Sequence, residues 1–177
     1  MVKAGSRDQV ATLAAHALRQ VYLPRIASCI QALSPGQIWW RPNAASNSVG
    51  NLVLHLTGNV RQWIISGLGG APDVRERDRE FNERGPVPRR TLVGRLHKTV
   101  DEACHVLDKL SPEEMARVHT IQRFKVTGTD AACHVAEHFS HHAGQIILLT
   151  KMLTGRDTKF THLPGERKRK SRNLPAL

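Results

Sequence analysis

The 177-residue sequence has few cysteines and no long apolar run. Cys29, Cys104 and Cys133 are odd in number and widely spaced, which argues against a disulfide framework or a zinc knuckle and fits a reducing compartment. No apolar stretch approaches the roughly 20 residues that a helix needs to cross a bilayer. The first residues also lack the apolar segment of a signal peptide. We therefore expect a cytoplasmic protein with no membrane-spanning segment.

Acidic residues are scarce relative to basic ones. The chain has 15 Asp and Glu against 26 Lys and Arg, a net charge of +11 that favours an anionic partner. Part of this excess lies in the basic run at residues 167–172. We expect one helical domain at residues 1–163, followed by a basic, flexible tail at residues 164–177. The tail has no interleaved aromatic residues and the chain has no helix-turn-helix or zinc-finger pattern, which disfavours nucleic-acid binding.

Four segments have the apolar spacing of amphipathic helices, which predicts an all-α protein and a four-helix bundle. The first, at residues 7–32, contains Pro24, which should kink or divide it. The other three predicted helices are residues 48–66 after a cap at Ser46 or Ser48, residues 91–110, and residues 127–154 before Gly155. A long charged connection at residues 71–90 separates the second and third helices. A short helix should begin after Ser111. Residues 119–126 are predicted to be an extended crossover with no evident partner strand, so a sheet is not expected.

Four histidines fall within nine residues of the last helix: His134, His138, His141 and His142. Imidazoles four residues apart point from one helix face and can bind one metal ion. On a helical wheel, His138 and His142 lie beside the apolar arc, whereas His134 and His141 lie further toward the polar side. A metal inside a bundle needs ligands that point inward, so His138 and His142 are the better pair.

Two histidines rarely suffice, because catalytic zinc sites typically have three protein ligands and one open position. His55, on the second helix, is the natural third ligand if the second and last helices pack side by side. His119 and Asp130 are less favoured substitutes. Three neutral imidazoles would leave a dicationic centre, which suits an anionic ligand such as a thiolate, a carboxylate or hydroxide.

Two blocks of sequence, residues 48–56 and residues 138–146, resemble the DinB superfamily of four-helix-bundle metalloproteins, and most of all its DUF1572-type branch. The similarity extends over roughly residues 10–160. It implies one histidine ligand from the second helix and two, four residues apart, from the last helix, which correspond to His55, His138 and His142. It also implies a divalent cation such as zinc or nickel, a homodimer, and kinship with transferases and isomerases that use a low-molecular-weight thiol and with metal-dependent hydrolases. Ala143 stands where many members have arginine.

The resulting hypothesis is a metal-dependent transferase or hydrolase that acts on a small anionic or thiol-bearing substrate through a metal-bound thiol or water. Residues beside the metal are assigned as follows: His141 or His134 as proton shuttle, and Asn59, Gln62 and Gln145 as groups that orient ligands or substrate. Arginines of residues 71–90 would attract a carboxylate-bearing thiol. The alternative is a non-enzymatic, metal-stabilised stress or binding protein whose basic tail contacts nucleic acid.

Overall fold

The structure is a computed structural model that describes residues 8–161. The predicted domain boundary at residue 163 and the basic tail lie outside the described residues. In chain order the elements are α1 (Gln9–His16), a first π-helical segment (Ala17–Tyr22), α2 (Leu23–Ala32), α3 (Pro35–Trp39), α4 (Val49–Val60), a second π-helical segment (Arg61–Ser66), α5 (Arg77–Asn82), α6 (Arg89–Leu107), α7 (Pro112–Ala116), β1 (Val118–Ile121), β2 (Phe124–Thr127) and α8 (Gly128–Thr154).

Four long helical units form the bundle: α1 continued through α2, α4 with the π-helical segment after it, α6, and α8. Their apolar stripes meet in one core, in which Leu56, Leu96 and Phe139 are fully buried. Burying a side chain of this size stabilises the folded state by about 1.5–3 kcal/mol. The predicted all-α four-helix bundle is therefore confirmed.

The helix boundaries follow from local capping chemistry. Ser48 caps α4 through a capping box with Asn51, and Thr127 caps α8 through one with Asp130. Each box satisfies two backbone N–H groups that lack a partner within the helix. Gly155 ends α8 in the left-handed conformation, at φ 63°. With these helix starts, His55 lies two turns into α4 and the histidine cluster begins about two turns into α8.

One expectation about the connections was wrong. Residues 118–127 form an antiparallel hairpin, β1 paired with β2, although no sheet was expected. Its turn residues Gln122 and Arg123 both have positive φ, at 50° and 72°, whereas the usual sequence signal for such a turn is Asn-Gly or Asp-Gly. The charged connection between the second and third helices contains one short helix, α5.

Pro24 lies in the first turn of α2, directly after the first π-helical segment, so the helix changes its hydrogen-bonding pattern beside Pro24 but continues without a break. Proline lacks the backbone N–H that would bond to the preceding turn. Over the described range, no helix is both long enough and apolar enough to cross a membrane.

Candidate metal centre

The α4 unit and α8 run antiparallel and bring their histidines face to face. The His55 ring lies 4.8 Å from the His138 ring between centroids, and Trp63, two turns further along, stacks on His134 at 3.9 Å. Residue numbers therefore rise along one helix as they fall along the other. This is the side-by-side packing of the second and last helices on which the choice of His55 depended.

The three histidines converge through their Nε2 atoms. His138 Nε2 lies 3.0 Å from His55 Nε2 and 3.2 Å from His142 Nε2. Tetrahedral zinc with nitrogen ligands at 2.0–2.1 Å would separate neighbouring nitrogens by about 3.3 Å. The observed spacing is close to that value. Among the described residues these three form the group of side chains that could hold a metal ion, and its ligand atoms all lie within 4.8 Å of one another.

Burial favours the neutral form of the two candidate ligands on α8, His138 and His142. Removal from water, followed by the neighbouring His142, His55 and His134 and the guanidinium of Arg75, lowers the pKa of His138 to about 3. Desolvation likewise lowers the pKa of His142. A metal ion requires the lone pair of a neutral imidazole. The fold therefore holds the rings of His138 and His142 in the protonation state that a metal would need at neutral pH.

The second nitrogen of His55 contacts a carboxylate that was not predicted from the sequence. His55 Nδ1 lies 2.9 Å from Glu80 Oε2, and Arg75 donates to both Glu80 oxygens, from Nε at 2.7 Å and from Nη2 at 2.8 Å. Burial opposes ionisation of Glu80, but hydrogen bonds from Arg75 and His55 outweigh it and lower the pKa of the carboxyl. Arg75 is therefore paired with Glu80, and attraction of a carboxylate-bearing thiol by arginines of residues 71–90 stays a prediction.

Glu80 and Arg75 belong to residues 73–85, which we call the strap. The Asn51 side chain ties the strap to α4, because its Nδ2 donates to the carbonyl oxygens of Glu80 and Glu83, each at 2.9 Å. A Cβ atom added to Gly58 would lie 1.9 Å from Glu80 Oε1, so that glycine allows the carboxylate to approach α4. The strap is thus fixed by its backbone and not only by its ion pair.

The other two candidate ligands differ in what their second nitrogens contact. His142 Nδ1 lies 2.7 Å from Oε1 of Gln145, an amide oxygen that can only accept, so Nδ1 carries a proton and Nε2 is left with its lone pair. His138 Nδ1 is buried and has no hydrogen-bond partner within the described structure. Within the described residues, His55 is therefore the one ligand of the three whose second nitrogen contacts charged side chains, Glu80 and Arg75.

Comparison with known proteins assigns a family. The sequence matches the family described as "Protein of unknown function (DUF1572)" over residues 11–167. The chain belongs to the DUF1572 family. No curated protein gives a significant match.

Solved structures show that the DUF1572 chain has a DinB-like fold. It is similar to a DinB-like protein, YjoA, from Bacillus subtilis, with a TM-score of 0.58 and 19% identity over 81% of this chain and 91% of that one. A DinB-like protein from Bacillus cereus ATCC 10987 also gives a TM-score of 0.58, with 15% identity over 73% of this chain and 84% of that one. Identities this low establish the shared fold and do not transfer chemistry.

The remaining predicted site residues of the DUF1572 chain lie around the three histidines. His134 stacks on Trp63 and also lies against His138, with ring centroids 5.5 Å apart. His141 is exposed and accepts from Nε2 of Gln145 at 3.3 Å. Neither ring belongs to the group that could hold an ion, and their assignment to proton transfer stays a prediction.

The two amides on the α4 unit have different surroundings. Asn59, one turn after His55, is buried and its Oδ1 has no hydrogen-bond partner within residues 8–161. Gln62 contacts the strap: its Oε1 accepts from Arg75 Nη1 at 2.8 Å and its Nε2 donates to Asp73 at 2.7 Å. Gln62 Oε1 also accepts from Gln122, at the tip of the hairpin. Orientation of substrate by Asn59, Gln62 or Gln145 remains a prediction.

The substitutes considered for the third ligand are placed elsewhere. Asp130 accepts from the backbone N–H of Thr127 at 2.9 Å as part of the cap of α8. His119 lies in β1 and is outside the group that could hold an ion. Of the three candidates for the third position, the fold brings only His55 to the pair on α8.

Proposed function

We propose that this chain binds one divalent metal ion, zinc or nickel, through His55, His138 and His142, and uses it as a metal-dependent transferase or hydrolase. The observation that carries the proposal is the convergence of three Nε2 atoms at 3.0 and 3.2 Å between two antiparallel helices. Three imidazole nitrogens this close together, on two facing helices, are arranged as nitrogen ligands of a tetrahedral ion would be.

An open coordination position supports catalysis over a purely structural metal. The candidate group has three ligands and no cysteine or carboxylate joins it among the described residues. His55 is buried, whereas His138 and His142 are half-buried, so the site has a side that faces solvent. Structural zinc sites usually close with four protein ligands, whereas catalytic sites keep the fourth position for substrate or water.

The metal, when bound, would lower the pKa of a thiol or water and supply a nucleophile near neutral pH. The surrounding residues have separate tasks in this proposal. His141 is exposed and next to His142, with ring centroids 5.1 Å apart, so it can exchange a proton with solvent beside the site. The dicationic centre attracts a small anionic or thiol-bearing substrate. A homodimer remains part of this proposal.

Metal analysis of protein purified without an affinity tag tests the site. We expect one equivalent of zinc or nickel per chain, and less than a tenth of that in His55→Ala and in His138→Ala. His105→Ala, a histidine on α6 outside the cluster, is the matched control and should retain the metal. Loss of metal in His138→Ala with full metal in His55→Ala would refute the three-ligand site.

A thiol-conjugation and ester-hydrolysis screen, with and without a chelator, tests catalysis separately. Turnover that requires the metal and returns when zinc or nickel is restored would support an enzyme. One equivalent of metal with no turnover in either reaction class would instead favour the alternative, a metal-stabilised binding protein. A salt-sensitive shift with nonspecific DNA that depends on residues 165–177 would extend that alternative to nucleic acid.

A further inference from the structure

The strap brings a charged residue to the metal-binding histidine of α4, although nothing in the spacing of the histidines indicates it. We propose that Glu80 is the positioning residue for His55 as a metal ligand and that Arg75 is the counter-charge that holds Glu80 in place. This inference rests on the proposed metal site and deepens it. It assigns to the strap a direct part in metal binding.

The first step is the position of the proton on His55. A carboxylate only accepts hydrogen bonds, so the 2.9 Å contact with Glu80 Oε2 requires the proton on Nδ1. The lone pair is then on Nε2, the atom that faces His138 Nε2 at 3.0 Å. In the other tautomer a proton would occupy Nε2 and block the ligand atom. Arg75 Nη2, 3.1 Å from His55 Nδ1, could donate its second N–H to Nδ1 only in that other tautomer, in which the Nδ1 lone pair would face the Glu80 carboxylate at 2.9 Å.

The second step is the role of Arg75. A charge as buried as the Glu80 side chain, which is 10% exposed, needs a partner, and the Arg75 side chain is itself only 3% exposed. Arg75 forms a two-pronged contact that occupies both oxygens of Glu80. This contact neutralises the pair and holds the carboxylate in its place beside Nδ1. Glu80 can therefore orient His55 without itself becoming the fourth metal ligand.

The third step is that the backbone is shaped for this contact. The close approach of Glu80 to α4 requires the absence of a side chain at Gly58, and Asn51 holds the carbonyl group of Glu80 itself. Histidines that bind metals typically donate their second N–H to a carboxylate or carbonyl group, which fixes the ring and raises its basicity. Here a buried ion pair, a glycine and an amide clamp are all placed to supply that one contact.

Two variants separate charge from packing. Glu80→Gln removes the charge and keeps the shape, and Glu76→Gln is its matched control, because Glu76 lies four residues earlier and its ion pair with Arg79 is exposed. The double variant Arg75→Met/Glu80→Leu removes both charges together, since replacing a buried ion pair by apolar residues usually leaves the fold intact. Circular dichroism and urea unfolding confirm that each variant is folded before its metal affinity is compared.

Competition for Zn²⁺ with a chromophoric chelator is the first measurement. We expect about 10–100-fold weaker zinc binding in Glu80→Gln and in the double variant, the usual cost of losing such a partner, and less than a twofold change in Glu76→Gln. Zinc binding within twofold of wild type in the folded double variant would overturn the proposal. Absence of zinc binding in the wild-type chain would refute the proposed function instead.

Long-range proton–nitrogen NMR of the metal-free protein is the second measurement, and it does not depend on the metal. The wild-type His55 ring should be fixed with its proton on Nδ1. The double variant should show a mixture of tautomers or a proton on Nε2. An unchanged His55 spectrum in the folded double variant would overturn the assignment of Glu80, whatever the zinc affinity. A merely structural role of the ion pair would alter stability and leave this signature unchanged.

Discussion

A single hydrogen at Gly58 determines how closely the strap approaches α4. In Gly58→Ala the added Cβ would lie 1.9 Å from Glu80 Oε1 and 3.0 Å from Arg75 Nε, so the carboxylate has to move. We expect the variant to lose about 1–3 kcal/mol of unfolding free energy, because the buried hydrogen bonds of the pair are disrupted. Zinc affinity should fall with it. Urea unfolding and zinc competition measure the two effects.

Gly94→Ala is the control for that substitution. Gly94 lies in the interior of α6, is exposed, and has no atom within 4 Å of the position that a Cβ would occupy, apart from its chain neighbours and the nearby backbone of its own helix. Alanine there should stabilise the protein by roughly 0.5–1 kcal/mol through its higher helix propensity. Equal stabilisation by the two substitutions would show that the strap does not need the space above Gly58.

The residues of the site differ in how far the sequence reveals them. His138 and His142 are four residues apart on one helix, and His55 lies on a helix with a strong apolar stripe, so periodicity points to all three. Glu80 is one of several charged residues in a segment with no periodicity, and 25 residues separate it from His55. Its burial arises only from the tertiary approach of the strap to α4. The sequence contains no local pattern that predicts this contact between the strap and α4.

At the scale of elements, Asn51 joins the cap of α4 to the strap. Its Oδ1 accepts from Ser48, and its Nδ2 donates to the carbonyl oxygens of Glu80 and Glu83. Asn51→Asp keeps an acceptor for the cap but loses the donor. We expect faster hydrogen exchange in residues 73–85 and little change in the exchange of α4. Ser48→Ala, which removes the cap and leaves the clamp, should give the opposite pattern.

The elements themselves were predictable where capping and periodicity agree. Ser111 begins α7, and Thr127 and Gly155 bound α8, as the sequence indicates. The hairpin was missed because a turn with positive φ at Gln122 and Arg123 lacks the glycine or asparagine that would signal it. The Ile121 side chain packs at Gly67, where a Cβ would lie 2.5 Å from Ile121 Cδ1, so tertiary packing supports the turn instead.

For the whole molecule, the site depends on the packing of the bundle. The apolar stripes predict four packed helices, and that packing makes His55 and the pair on α8 neighbours although 83 residues separate His55 from His138. The sequence therefore predicts which histidines can meet as soon as it predicts the bundle. The position of the strap cannot be predicted in this way, because the strap joins the site through polar contacts and backbone hydrogen bonds and not through an apolar stripe.

Stability of the whole bundle should fall in alkaline solution because of a buried thiol. Cys104 on α6 is fully buried and its Sγ contacts the carbonyl oxygen of Ala15 on α1 at 3.5 Å. Burial, opposed by Arg19, raises the pKa of Cys104 from 9.0 to about 11. The protonated Cys104 thiol therefore makes its full contribution to the free energy of unfolding below pH 9. This contribution is lost as the pH rises toward 11, because the thiol of the unfolded chain releases its proton first.

Because of Cys104, we expect the free energy of unfolding to be about 1 kcal/mol lower at pH 10 than at pH 8. This pH-dependent difference should vanish in Cys104→Ala. Urea unfolding at both pH values measures it, with the pH-dependent difference as the readout, because the cavity left by the substitution lowers stability equally at each pH. Cys133→Ala is the control: Cys133 is exposed on α8, so its removal should change the difference less. An identical pH dependence in wild type and Cys104→Ala would show that this thiol is not the group responsible.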